Sequence, residues 1–242
     1  MRFDRDAAPF VAAAAVPAVG AALTGRRRLA VALLALPAAI LAFFRDPDRL
    51  PDVAPGSTDP DEVLAPADGR VMVVGPADPA DAPAGEWTQI GIFLSVADVH
   101  INRSPVGGRV ASVERRPGSF LAAYRAESAH RNERTELVVE REVDGGRRTV
   151  VVRQIVGVLA RRIVTRVAPG DHLAAGQRIA LMRFGSRMDL LLPPEVEVLV
   201  TERQQVVAGE TVLARWPASA VDATADASSA GPDDAGGGSP AS

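Results

Sequence analysis

Thr135-Glu-Leu-Val-Val-Glu-Arg-Glu-Val143 and Arg147-Arg-Thr-Val-Val-Val-Arg-Gln-Ile-Val-Gly-Val158 decide the fold. Both are rich in β-branched residues and sit between glycine or proline punctuation, which is the composition of strands. Working outward, the same pattern recurs at 69–75 (GRVMVVG), 87–96 (WTQIGIFLSV), 108–116 (GRVASVERR), 178–184 (RIALMRF), 187–193 (RMDLLLP) and 196–202 (VEVLVTE). The apolar period is close to two in several of these segments, so a mainly β sandwich or barrel is the expected core.

Weak internal repetition supports that core. Pro66-Ala-Asp-Gly-Arg-Val-Met-Val-Val74 is similar to Pro105-Val-Gly-Gly-Arg-Val-Ala-Ser-Val113, and Leu173-Ala-Ala-Gly-Gln-Arg-Ile-Ala180 to Val206-Val-Ala-Gly-Glu-Thr-Val-Leu-Ala214. The second pair resembles the hairpin turns of biotinyl and lipoyl carrier domains. A carrier function is excluded, because all 27 basic residues are arginine. A chain without lysine cannot carry biotin or lipoate, hold pyridoxal phosphate covalently, or form a lysine Schiff base. The absence of cysteine removes disulfides, thiolate metal sites and a cysteine nucleophile together. A formal charge of −3 gives no electrostatic reason to expect nucleic acid as a partner. With 242 residues, one catalytic unit plus appendages is expected.

The first 45 residues differ in kind from the rest. Ala7 to Leu23 is nearly all apolar, Arg26-Arg27-Arg28 follows, and a second uncharged run extends from Leu29 to Phe44. As a helix that second run is about 24 Å long, against a hydrocarbon core of about 30 Å. The basic cluster lies between two apolar runs, and no small-residue cleavage site follows Phe44. A membrane-embedded helical hairpin, or two short spans, is therefore favoured over a cleaved signal peptide, and Pro9, Pro17 and Pro37 should kink it. Residues 1–44 contain no histidine, so they are expected to anchor the chain without supplying catalytic groups. The expected organisation is an anchor over 1–45, an extended linker over 46–64, a catalytic β domain over 65–216 and a disordered tail over 217–242.

The strongest chemical signal is Arg183-Phe-Gly-Ser-Arg-Met-Asp189, which sets Gly185-Ser186 between two strand-like runs. Alone, Gly-Ser is an ordinary turn. It stands, however, with FFRDPDR at 43–49, PADGRV at 66–71, DVHINRSPVGGRV at 98–110, PGSFLAAY at 117–124, NERT at 132–135 and GVLARRIV at 157–164. In this order the seven motifs resemble the short, membrane-anchored phosphatidylserine decarboxylase family, over roughly residues 43–215.

The resemblance implies self-cleavage between Gly185 and Ser186. The Ser186 hydroxyl would attack the Gly185 carbonyl, an N-to-O acyl shift and β-elimination would follow, and hydrolysis would leave a pyruvoyl group at residue 186. Glycine leaves that carbonyl open to attack. The products would be a β chain of residues 1–185 and an α chain of residues 186–242, held together non-covalently, with higher oligomers left open. No metal and no pyridoxal phosphate are implied. The amine of a phosphoserine-type headgroup would condense with the ketone, which withdraws electrons as CO₂ leaves. A general acid would then protonate the α-carbon.

His100 matches a family histidine and Asp68 the family's catalytic aspartate, which would orient and charge-stabilise the imidazole. His130 and His172 fall in polar stretches and are expected to be solvated. Longer members of the family carry a second histidine three positions after the first, where this chain has Arg103. That departure leaves open whether His100 serves cleavage, decarboxylation or both. Arg161, Arg162 and Arg187 are candidates to bind the phosphodiester or carboxylate, since arginine forks suit both anions. The expected substrate is phosphatidylserine or an archaeal ether-lipid equivalent with the same headgroup. The expected location is the cell membrane, with the catalytic domain on its cytoplasmic face.

Two other readings compete. A zinc peptidase would need clustered His and Asp ligands, and the three histidines offer no H-x-H or H-x-x-x-H spacing. A membrane-tethered β-sandwich adaptor without activity would leave the chain uncut at residue 185.

Overall fold

In the computed structural model, which describes residues 2–49, 61–125, 127–143, 146–158, 162–183 and 186–217, the alternating segments are strands. Two short strands, β1 (Arg2–Phe3) and β2 (Arg45–Asp46), pair with each other and bracket the helices α1 (Ala8–Leu23), α2 (Arg27–Leu33) and α3 (Ala35–Phe43). The β domain follows with β3 (Glu62–Leu64), β4 (Gly69–Pro76), β5 (Thr88–Leu94), β6 (Ile101–Arg103) and β7 (Gly108–Arg116). A single helical turn, α4 (Ser128–Arg131), leads into β8 (Arg134–Val143), β9 (Gly146–Ile155), β10 (Ile163–Thr165) and β11 (His172–Leu173). The last strands are β12 (Arg178–Met182), β13 (Ser186–Leu192), β14 (Glu197–Val198), β15 (Gln205–Val206) and β16 (Val212–Arg215).

The fold is mainly β. Eight strands form one sheet in the order β11-β7-β8-β9-β13-β5-β4-β15, curled into a half-barrel, and β10-β12-β6 and β14-β16-β3 form two small sheets. Every pairing in them is antiparallel. Side chains alternate across a strand, so Ile90, Ile92 and Leu94 of β5 join Met188, Leu190 and Leu192 of β13 and Val150 and Val152 of β9 in one core. The other face of these strands is charged. There Arg187 meets Asp189 at 2.6 Å, and Glu136 takes both Arg134 at 3.0 Å and Arg153 at 2.9 Å.

The internal repeat is visible as a near two-fold arrangement. β15 pairs with β4 through Val206↔Gly69, and β11 pairs with β7 through Leu173↔Gly108. Both long strands break register one step further on, at Val71/Val73 and at Val110/Ser112. At the centre the exchange is reciprocal: Leu64 N–H donates to Pro105 at 2.8 Å, and Arg103 N–H donates to Pro66 at 2.9 Å. The resemblance to carrier-domain hairpins thus describes two interlocked copies of one strand-turn unit.

At the N-terminus α1 packs against α2 and α3, and Arg5–Leu23 is a helical stretch of 19 residues, apolar and long enough to cross a membrane. Pro9 sits in the first turn of α1, where its missing N–H is not needed. Pro37 cannot donate to the preceding turn, and the chain divides just before it, at Leu34, into α2 and α3. At the two ends of the expected linker, Asp46 belongs to β2, and β3 buries Val63 and Leu64. Residues 50–60, and residues 218–242 of the expected tail, lie outside the described residues.

Candidate active site

Ser186 is the first residue of β13, opposite Leu94 of β5, and it is completely buried. Its hydroxyl lies 3.8 Å from Met182 Sδ, a weak acceptor that does not hold the hydroxyl in place firmly. Met182 ends β12, and its N–H donates at 3.0 Å to the carbonyl of His100. One strand end therefore joins the serine to the histidine. Phe184 and Gly185, and with them the expected scissile bond, lie outside the described residues.

His100 follows a tight turn in which both the N–H and the hydroxyl of Ser95 donate to the Asp98 carboxylate, at 2.8 and 2.7 Å. Its Nδ1 lies 2.9 Å from the Asp98 carbonyl oxygen. A carbonyl only accepts, so Nδ1 carries the proton and Nε2 keeps its lone pair. The ring is fully buried. Burial pushes its pKa down to about 4, against the opposing pull of the Asp98 hydrogen bond and of the Asp98 and Asp68 charges. At neutral pH His100 is therefore a neutral imidazole whose proton sits on Nδ1.

The Asp68 carboxylate is held by the Arg49 guanidinium through both oxygens, with Nη2 to Oδ2 at 2.6 Å, and it accepts the Ala208 N–H at 2.9 Å. Nδ1 of His100 is thus oriented by a main-chain carbonyl in its own turn, and Asp68 acts on the ring through charge. Burial opposes the charge on Arg49, but the hydrogen bond and charge of Asp68 outweigh it and hold the guanidinium above its ordinary value. Arg103, at the position of the absent second histidine, is buried and donates to the carbonyls of Gly176 and Pro47, both at 2.9 Å. Burial lowers its pKa, but its fork is occupied by carbonyls and it contributes no proton acceptor.

The arginine candidates separate. Arg187 is on the opposite face of β13 from Ser186 and bonds Asp189, whose own pKa is raised by complete burial. With Gln89, Tyr124, His130 and Arg153 it lines a cavity of about 380 Å³ on that face. Arg162 is exposed, and its carbonyl accepts from Arg183 N–H at 3.4 Å, which places it beside Arg183, three positions before Ser186. Arg161 lies outside the described residues. His172 and His130 are both exposed, and His130 pairs with Asp81 at 2.5 Å. Among the described residues no group of three His, Cys, Asp or Glu could hold a metal ion. Two contributors were not anticipated: the Asp98 carbonyl, and the Phe43 ring, whose centroid is 4.3 Å from that of His100. Both belong to motifs quoted above, but nothing in a motif tells which of its atoms faces the base.

Comparison with known proteins identifies the family. The sequence model of the family described as phosphatidylserine decarboxylase matches residues 36–214. A phosphatidylserine decarboxylase proenzyme from Mycolicibacterium vanbaalenii is 43% identical over 222 residues, covering 88% of this chain and 92% of that protein. The proenzyme of the same name from Symbiobacterium thermophilum is 46% identical over 213 residues, covering 88% and 95%. That from Granulibacter bethesdensis is 47% identical over 180 residues, covering 72% and 69%. With the family's pattern spanning most of the chain, and relatives this similar along nearly their whole length, this chain belongs to the phosphatidylserine decarboxylase family.

Proposed function

We propose that this chain is a proenzyme that cuts itself between Gly185 and Ser186 and then decarboxylates the serine headgroup of phosphatidylserine at the membrane surface. The observation that carries the reading is the buried, neutral His100, its tautomer fixed by Asp98 and its carbonyl bonded by Met182, which ends the strand preceding Ser186. In maturation His100 Nε2 takes the hydroxyl proton as Ser186 Oγ attacks the Gly185 carbonyl. The negative charge of Asp68 favours the imidazolium that results.

A pyruvoyl group at residue 186 suits these surroundings. β13 holds that residue in register with Leu94, and the neighbouring Met182 side chain offers an apolar wall without a competing nucleophile. When formed, the group supplies an electron-withdrawing ketone that takes up the headgroup amine and permits loss of CO₂. His100 then carries a second duty: Nε2, which holds no proton at rest, picks one up from the headgroup ammonium as the amine is freed to condense with the ketone, and delivers it to the α-carbon after CO₂ leaves. Arg162, with its neighbour Arg161, is the better candidate for the headgroup anion, because its segment lies beside Arg183 whereas Arg187 lies behind the sheet.

The catalytic domain is assigned to the cytoplasmic face. The two ends of the helical hairpin are joined by the β1–β2 pairing, so the hairpin returns the chain to the side on which it started, and the domain need not cross. After cleavage the α and β chains remain paired, since β13 lies between β9 and β5. Intact-mass measurement on purified protein tests the reading. Two chains divided after residue 185, with a blocked N-terminus on the smaller, are expected, while Ser186→Ala stays whole and inactive. An active preparation that shows only the uncut mass refutes the proposal.

A further inference from the structure

The segment Phe43-Phe-Arg-Asp-Pro-Asp-Arg49 joins the hairpin to the rest of the chain, and each of its residues touches another part of the fold. Phe43 lies against the His100 ring, tilted by 37°. Phe44 is fully buried and stacks on Phe10 at 5.5 Å. Arg45 donates to the Ala97 carbonyl at 2.5 Å, inside the turn that presents the Asp98 carbonyl to His100. Asp46 and Asp48 both take Arg178, at 2.8 and 3.0 Å, and Pro47 accepts from Arg103. Arg49 grips Asp68. Phe43 and Phe44 also form one apolar cluster with Val99, Ile101 and Leu181, the chain neighbours of His100 and Met182.

We infer that this segment is a strap that assembles the active site, and that Phe43 is the positioning residue that covers His100 and holds its imidazole. The inference rests on the reading of His100 as the base. Its physical content is that an apolar ring packed on the imidazole excludes water from one face, while Arg45 fixes the turn that orients Nδ1. The charged groups acting on the ring are Asp98 in its own turn, Arg45 on the strap and Asp68 before β4. The hairpin is thereby more than an anchor. It forms a wall of the catalytic centre, and its seating on the β domain sets the surroundings of the base.

The test uses the full-length chain in lipid nanodiscs. In a Ser186→Ala background the His100 ring is titrated by NMR, with and without Phe43→Ala. Separately, the self-cleavage rate of chains retaining Ser186 is followed against pH. Phe43→Ala should move the titration of His100 from about 4 toward the ordinary histidine value near 6.5. Self-cleavage at pH near 5 should slow roughly tenfold, since a pKa one unit above the pH leaves about a tenth of the base unprotonated. At pH near 8 the loss should be smaller.

Phe43→Leu keeps an apolar cover, so it should give the same changes in reduced size. It is also the informative variant if Phe43→Ala does not fold. Leu23→Ala, at the exposed far end of α1, should change neither readout. An unmoved His100 titration in both Phe43 variants, or an equal shift in Leu23→Ala, overturns the positioning role. A moved titration with an unchanged cleavage profile instead overturns His100 as the cleavage base, and with it the catalytic consequence of the strap.

Discussion

At the scale of single residues, the proposed chemistry depends on one histidine whose environment matters as much as its identity. A solvated histidine loses its basic form as the pH falls through about 6.5, but burial carries His100 down to about 4. With the neutral ring as the proposed base, the direction is set: the self-cleavage rate should hold nearly level from pH 7 to about pH 5 and fall only as the pH passes about 4. A rate profile with its acid midpoint near 6.5 would mean that the ring is solvated or that another group is the base. His100→Ala should slow cleavage by about 10²- to 10⁴-fold, the usual worth of a general base, at every pH in that range.

Ser186 and His100 were legible in the sequence because they sit inside short motifs. Asp68 was legible only as a motif member, and the structure turns its carboxylate to Arg49. The Asp98 carbonyl and the Phe43 cover were not legible. A main-chain acceptor has no residue signature, and the approach of Phe43 to His100 depends on how a distant helix docks.

At the scale of elements, residues 1–44 hold no histidine and read in the sequence as a separable anchor. Periodicity and composition locate a hairpin but do not show what its base rests on. Here the base is bolted to the β domain: Arg166 meets Asp4 at 2.6 Å and Asp6 at 3.3 Å, and the Arg183 guanidinium lies over the Phe10 ring at 5.1 Å. The Asp4 side chain is only 2% exposed, so losing its cationic partner leaves a buried carboxylate supported chiefly by the Asp6 N–H. Leaving such a group short of partners costs about 1–3 kcal/mol. Arg166→Ala should therefore loosen the hairpin base without unfolding the β domain. Hydrogen exchange should quicken at Phe44 and Met182, whose N–H groups bond Ile40 and His100, and stay unchanged at the centre of β8 and β9. Uniform protection across all four regions would show that the hairpin is held by its apolar cluster alone.

At the scale of the whole molecule, the repeat that was faint in the sequence becomes the plan of the fold, with β4 and β15 echoing β7 and β11. The strand segments could be recognised from their period of two, but their order in the sheet could not. Local alternation fixes which face of a strand is buried and leaves its neighbours open. That order decides what self-cleavage does to the molecule. The proposed cut falls just before β13, which has seven register pairs with β5 and five with β9 and lies near the middle of the eight-stranded sheet. Beyond it, β16 pairs with β3 and β15 with β4, so the smaller chain is woven through the larger at three places.

Met188, Leu190, Leu191 and Leu192 are fully buried. At about 1.5–3 kcal/mol each, these four side chains alone oppose separation by on the order of 10 kcal/mol, as an upper estimate. The prediction is that cleavage leaves the tertiary structure intact. The two chains should elute as one species under native conditions even after dilution to nanomolar concentration, and should part only in denaturant, in a single transition that also abolishes activity. Recovery of free smaller chain by dilution in native buffer would contradict this sheet order, because β13 cannot leave without opening the sheet on both sides.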